Sequence, residues 1–153
     1  LNKCIDFLEF NDNIDFIKLI RGTENIKPLS DDTSMGLYLN YILEGNMYYT
    51  TQPTIWRMNK LIKVFDETPT SHIGDDNDLH FEVLAHEACV KNCYGLIYYN
   101  NESKRGMHHY DSDIFPYIAS AIIRGKWNIS EYPEELVPLL DFYKINADHR
   151  GVY

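Results

Sequence analysis

The residues whose types could do chemistry are grouped on one predicted helix, at about 79–94. Four of them are separated by four, three and four positions, which places them along one helical face: Glu82, His86, Cys89 and Cys93. All four are of types that bind zinc and other transition metals. His108 and His109 could add ligands if the chain folds back after this helix. One hypothesis is therefore a metal-dependent enzyme with its site on this helix.

The neighbouring residues favour a structural interpretation of the same face. A zinc knuckle needs a second cysteine pair, and the chain has only Cys4 left to offer. A zinc-protease helix would need a second histidine where this chain has Val90. Cysteines in apolar surroundings usually fill a core as reduced thiols. We therefore expect core thiols, no metal or other cofactor, and a reducing, cytoplasmic compartment.

Other catalytic patterns are missing from the sequence. It has no Gly-x-Ser-x-Gly and no glycine loop that would hold a phosphate, and the acidic stretch 75–78 lacks the spacing of a calcium loop. That stretch instead forms an acidic entrance to the central helix, suited to an arginine- or lysine-rich partner. Tyrosines add amphipathic contact area. The predicted partner-binding residues are Asp75, Asp76, Asp78, Glu82, Tyr98 and Tyr99.

Composition narrows the class of protein. With 153 residues, 44% hydrophobic and 24% charged, the chain fits one globular domain covering 1–153. The 14 basic and 23 acidic residues give a net charge of −9, which disfavours direct binding to phosphate backbones and favours a basic protein partner. No stretch reaches the ~20 apolar residues of a membrane span. The N-terminus is unlike a signal peptide, although the chain begins at Leu1 and a removed signal stays open.

The elements that would position these residues are predicted to be mostly α. We expect about six helices packed around the central one, with a small β-hairpin near 96–110. The helical patterns cover 2–10, 13–21, 34–44, 53–66, 79–94, 113–124 and 131–145. Two alternatives stay open: a strand at 14–20, which is rich in β-branched residues, and a central helix that continues through Tyr99.

These observations predict a non-enzymatic binding protein. Its concrete form is an acidic inhibitor, such as an immunity protein or antitoxin that neutralises a basic nuclease toxin. A host- or virus-derived helical interaction protein fits the same features. A third binding class, an acidic mimic of DNA, would need carboxylates at phosphate-like spacing on one face, which a sequence does not reveal.

Overall fold

The computed structural model describes residues 1–30, 34–69, 81–105 and 109–153, and these residues form a mixed α/β fold. The α-helices are α1 (Asn2–Phe10), α2 (Met58–Glu67), α3 (Phe81–Asn92) and α4 (Pro133–Phe142), followed by a 3-10 turn at Ala147–His149. Five strands form one sheet: β1 (Phe16–Lys18), β2 (Ile26–Pro28), β3 (Leu39–Ile42), β4 (Thr54–Trp56) and β5 (Gly95–Tyr98). Two separate hairpins pair β6 (Lys104–Arg105) with β7 (His109–Tyr110), and β8 (Ile122–Ile123) with β9 (Lys126–Trp127). The predicted mostly-α fold is therefore wrong.

The five-stranded sheet has the order β2-β3-β5-β1-β4. The inner strands β1 and β5 pair parallel, whereas all other neighbouring strands pair antiparallel. Phe16 lies opposite Gly95 in this parallel pair. A side chain at Gly95 would collide with the Phe16 ring, since a Cβ there would lie only 1.9 Å from a ring carbon. Glycine at this position therefore lets an aromatic ring cover the centre of the sheet.

Alternate strand residues face two different apolar clusters, as the period of a β-strand requires. Helix α1 covers one face, and α2 and α3 cover the other. The buried members of the first cluster are Cys4, Phe7, Leu8, Ile14, Ile17, Leu19, Leu39, Leu96 and Tyr98. Those of the second are Phe16, Ile42, Tyr49, Val64, Ala85, Ala88, Cys89, Cys93 and Ile97. The sheet thus lies between two helical layers.

Four predicted elements are wrong for identifiable reasons. The predicted helix 13–21 contains strand β1, whose residues are all buried because helices cover both faces of the sheet. The predicted helix 34–44 contains β3. The segment 113–124 is irregular up to β8, and its Ile114 and Phe115 pack against the α1 cluster. The hairpin expected near 96–110 is different, since β5 is an inner sheet strand and the hairpin begins at Lys104.

The strongest helical patterns are confirmed. Helix α1 has the predicted bounds, and α3 and α4 lie inside the predicted ranges 79–94 and 131–145. The range 53–66 is divided between strand β4 and helix α2. Among the described helices, none is long and apolar enough to cross a membrane.

The edges of the sheet are short and carry prolines. In the described residues β2 and β4 are the outermost strands, and each has three residues. Pro28 ends β2 after the exposed Lys27, and Pro53 directly precedes β4.

Residues 119–153, called the C-terminal region below, contain β8, β9, α4 and the 3-10 turn. Tyr132 and Asn128 are its most deeply buried side chains. The Asn128 amide donates to the Ser120 carbonyl at 3.1 Å and to Glu131 at 2.9 Å. The Tyr132 hydroxyl accepts the backbone N–H of Ala119 at 3.3 Å. These bonds hold the incoming chain of residues 119–120 against the start of α4.

Candidate functional site

A polar cleft of about 350 Å³ lies beyond the carboxyl end of β1. Its walls are the β1–β2 loop (residues 19–25), the β3–β4 loop (residues 43–53), the first turn of α3 and the segment after Pro116. The lining residues are Gly22, Thr23, Glu24, Met47, Thr50, Thr51, Gln52, Glu82, Tyr117 and Ala119. Ligand sites of open α/β sheets lie at the carboxyl ends of parallel strands, which makes this cleft the leading candidate.

A buried ion pair supports two walls of the cleft. Lys18 and Glu24 are only 1% and 4% exposed, and the Lys18 ammonium donates to the Glu24 carboxylate. The same ammonium donates to the Met47 carbonyl at 3.1 Å, and Glu24 Oε2 accepts the Gly22 N–H at 2.7 Å. Burial lowers the pKa of Lys18 because it disfavours the charged ammonium, while the Glu24 carboxylate opposes that effect. One charged pair therefore joins both loops to the central strand.

The carboxylate of Glu82 connects α3 to the same β3–β4 loop. Glu82 Oε1 accepts hydrogen bonds from the Thr51 N–H at 2.5 Å and from the Thr51 hydroxyl at 2.6 Å. One turn further along α3, His86 Nδ1 accepts the Tyr48 N–H at 2.9 Å. Burial lowers the pKa of His86. The four-residue spacing of Glu82 and His86 thus holds a loop against the helix.

The cysteines on the same face of α3 lie deeper. Cys89 is fully buried and Cys93 is 8% exposed, and both are free thiols, as is the buried Cys4. Burial raises the pKa of both α3 thiols, so neither favours the thiolate that binds metals or attacks substrates. The prediction that the cysteines are reduced core residues is confirmed.

The other candidate metal ligands are placed as follows. His109 is buried, stacked on Tyr132 with a centroid distance of 5.9 Å and in edge contact with Tyr117 at 5.1 Å. His108 lies outside the described residues. Within the described ranges, no group of three or more histidine, cysteine, aspartate or glutamate side chains is arranged to hold a metal ion.

The predicted partner-binding residues occupy three different environments. Asp75, Asp76 and Asp78 lie outside the described residues. Tyr98 belongs to the core, and its hydroxyl donates to Asp113 at 2.7 Å. Tyr99 is half-buried beneath the Arg21 guanidinium, 4.6 Å from its ring centroid. Of the three described residues in this set, only Glu82 lines the cleft.

A second cavity of about 140 Å³ shares Tyr117 with the cleft. It is lined by Ile20, Arg105, His109, Tyr110, Asp111, Ser112, Pro116, Tyr117 and Glu135. Arg105 binds both carboxylate oxygens of Glu135, at 2.8 and 3.0 Å, and contacts Asp111 at 3.0 Å. The charges of this cavity therefore largely satisfy one another.

The sequence pattern did not indicate several of the cleft residues, because they lie in loops that have no hydrophobic periodicity. Tyr117 lies in the segment 113–124 that the sequence predicts to be a helix. Glu24 has the sequence surroundings of an ordinary polar loop residue. Lys18 did carry a signal, since it is the one basic residue within the largely apolar run 14–20. A lysine in such a run either faces solvent on a helix or is buried with a partner, and a carboxylate six residues later could have indicated the partner.

No protein-family model matches the chain, and neither a curated protein nor a solved structure gives a significant match. The function proposed next therefore rests on the geometry and charge of the cleft.

Proposed function

We propose that the chain is a non-enzymatic protein-binding domain whose cleft receives a cationic side chain of a basic protein partner. The observation that carries the proposal is the position of Glu82 in the cleft wall, on a chain with a net charge of −9. The concrete form is an inhibitor of the immunity-protein or antitoxin type, covering a basic nuclease.

The charges around the cleft favour a cation there. Lys18 and Glu24 form an ion pair, and Glu82 adds the negative field of a further carboxylate to the cleft wall. Low-dielectric walls concentrate such a field within a concave site, and the acidic excess of the whole chain adds long-range attraction. Complementary charge raises association rates and selects among partners. A basic partner would therefore be attracted to the chain and oriented at the cleft.

The polar atoms in the walls would accept donors from such a side chain. A carboxylate offers about four acceptor positions, and both Thr51 bonds go to one oxygen of Glu82, Oε1. Thr50 Oγ1 is buried and has no hydrogen-bond partner among the described residues. A buried hydroxyl without a partner is costly, so a bound donor would stabilise this wall.

The proposal is tested with a six-residue basic peptide of alternating arginine and lysine, titrated by calorimetry in 50 mM salt. We expect Glu82→Gln to weaken binding by about 10- to 100-fold, since hydrogen bonds to charged groups contribute about 1.5–3 kcal/mol. The matched control is Glu87→Gln, which makes the same charge change at an exposed position of α3 and should have little effect.

Salt provides a second readout. Raising the salt concentration to 500 mM should weaken binding to the wild-type chain, because exposed charges are screened. Equal losses in the two variants would mean that only net charge matters, and would contradict a site at Glu82. Absence of binding at any salt concentration would contradict the function itself. The role predicted for Asp75, Asp76 and Asp78 stays a prediction that the same titration can test.

A further inference from the structure

We infer that the C-terminal region carries a second docking surface, a groove beside Trp127 that takes an apolar side chain of a partner protein together with a neighbouring carboxylate. The partner that this groove fits is an acidic amphipathic segment, such as one face of a helix. The groove shares no lining residue with the cleft, so this inference does not depend on the proposed function.

Exposed apolar side chains are concentrated in this part of the chain. Of the nineteen large hydrophobic side chains that are exposed among the described residues, seven lie between residues 137 and 153. Phe142 and Tyr143 are the most exposed of these seven, and their rings contact each other edge-on at a centroid distance of 4.9 Å. A concentration of exposed apolar surface commonly marks a site of interaction.

A groove of about 360 Å³ lies at the end of this apolar stretch. It is lined by Trp127, Ile145, Asn146, His149 and Arg150. Ile145 is both one of the seven exposed side chains and a wall of the groove. A concave site of this size accommodates a large apolar side chain, with Trp127 and Ile145 as its apolar walls.

Backbone hydrogen bonds hold both apolar walls in place. The N–H of Ile145 donates to the Leu140 carbonyl at 2.8 Å, which is the long bond of a Schellman motif at the end of α4. The Trp127 N–H donates to the Gly151 carbonyl at 3.0 Å, and the Trp127 carbonyl accepts the Tyr153 N–H at 2.8 Å. Walls that are already ordered lose little freedom when a partner binds.

The charge of the groove identifies the kind of partner. The exposed guanidinium of Arg150 lies 5.9 Å from the Trp127 ring centroid. Among the described residues no carboxylate lies within ion-pair distance of Arg150, and this includes Asp148 in the same turn. Tryptophan and arginine are enriched among the residues that dominate protein interfaces. A carboxylate beside the apolar anchor would therefore complement the groove.

The net charge of the whole chain sharpens this expectation. At −9 the chain repels an acidic partner at a distance, so the attraction must come from contacts inside the groove. Removal of the single cation or of one apolar wall should then weaken binding clearly.

The test uses three capped peptides of twelve residues: Glu-Leu-Leu-Glu, Lys-Leu-Leu-Lys and Glu-Ala-Ala-Glu, each repeated three times. The readout is the indole N–H resonance of Trp127 in the wild-type chain, followed by NMR during titration. The chain has one other tryptophan, Trp56 in β4, which does not line the groove and serves as the internal reference. We expect the acidic leucine peptide to shift the Trp127 resonance in a saturable way and the other two peptides to bind there much more weakly.

Two substitutions, each with a matched control, test the walls. Arg150→Gln should weaken binding of the acidic leucine peptide about fivefold, the value of an exposed ion pair. Lys27→Gln makes the same charge change at an exposed position of β2 and should have little effect. Ile145→Ala should weaken binding about tenfold, since it removes apolar area from the wall. Ile62→Ala, at a similarly exposed isoleucine of α2, should not.

The outcomes separate this partner from other occupants of the groove. A Trp127 resonance that does not move with the acidic leucine peptide would overturn the inference, as would equal shifts with the lysine or the alanine peptide. Sedimentation equilibrium that shows a dimer of the wild-type chain, lost in Ile145→Ala, would assign the groove to a second copy and overturn it as well. Binding to phosphatidylserine vesicles that is lost in Arg150→Gln would assign it to a membrane surface instead. If Ile145→Ala fails to fold, Arg150→Gln decides, because that side chain is exposed.

Discussion

The sheet with its helices α1–α3 and the C-terminal region are stabilised in different ways. The sheet buries nearly all side chains of its inner strands between two apolar clusters. The C-terminal region buries Leu136 and Leu140 of α4 but leaves Phe142 74% exposed and Tyr143 65% exposed. It contacts the rest of the chain through the ion pair of Arg105 with Glu135 and the stacked rings of His109 and Tyr132.

The two parts should therefore respond differently to a single substitution. A sheet with two apolar layers resists most single changes, except where it has buried a charge. A region held by a few polar and aromatic contacts loses its attachment when one of them is removed, without requiring that the sheet unfold. Three substitutions test this comparison, in order of decreasing expected effect.

The largest effect is expected for Lys18→Met. This change leaves the Glu24 carboxylate buried without its cation, and removing one partner of a buried ion pair costs about 3–5 kcal/mol. Urea denaturation measures the free energy of unfolding. The matched control is Lys144→Met in the C-terminal region, where Lys144 and Asp141 are 80% and 82% exposed, and its cost should stay below about 1 kcal/mol.

The double variant Lys18→Met with Glu24→Gln tests the cause. If the uncompensated carboxylate is responsible, neutralising Glu24 should restore most of the lost stability. A double variant as unstable as Lys18→Met alone would instead show that the lysine stem and its bond to Met47 matter more than the charge.

A smaller and local effect is expected for Arg105→Gln. The change removes two hydrogen bonds to Glu135 and the contact with Asp111, at a cost of about 1.5–3 kcal/mol. Hydrogen exchange should show reduced protection of the amides in α4 and unchanged protection in α3. Lys104→Gln, at the exposed neighbouring residue, is the control. An equal loss of protection in both helices would mean that the sheet and the C-terminal region unfold as one unit.

The smallest expected effect is a pH dependence of the stability of the sheet and its helices, and it comes from His86 in α3. Burial lowers the pKa of His86 in the folded chain, so the unfolded chain binds more protons just below the ordinary value of about 6.5. Stability from this group is therefore fully present above that pH and is lost as the pH falls. Between pH 7.5 and 5.5 we therefore expect a loss of stability, and protonation of Nδ1 also removes the acceptor of the Tyr48 N–H.

The measurement is urea denaturation at several pH values for the wild-type chain and His86→Gln. A glutamine carbonyl can still accept the Tyr48 N–H but does not titrate, so this variant should show a weaker pH dependence. His149→Gln changes an exposed histidine and should behave like the wild type. Parallel pH curves for the wild type and His86→Gln would refute the role assigned to His86.

The helices were predictable where one face meets a core and the other meets water, as in α1 and α2. Of the sheet, only β1 was indicated, as the alternative strand at 14–20, because the inner strands are buried on both faces and lack the polar alternation that marks a strand. In β1 the residues Phe16, Ile17 and Lys18 are all buried, so the strand has no alternation of buried and exposed side chains. The edge strands are too short, at three residues each, to produce a pattern.

Only those residues of the candidate site that lie on a helix were predictable from the sequence. The spacing of Glu82 and His86 on α3 identified both residues as a pair with a shared role, although that role is to hold the β3–β4 loop. Tyr117, Thr50 and Glu24 come from three separate loops, and only the folded sheet brings them to one cleft. No local rule relates residues so distant in sequence.

The composition of the sheet edges also bears on how copies of the chain behave at high concentration. An unpaired strand edge is a template on which another chain can add a strand and start a growing assembly. Here β2 and β4 give such a strand little length to pair with, and Pro28 has no N–H to donate. The charge of Lys27 further disfavours stacking of identical edges. These edges therefore disfavour self-association of the chain by strand addition.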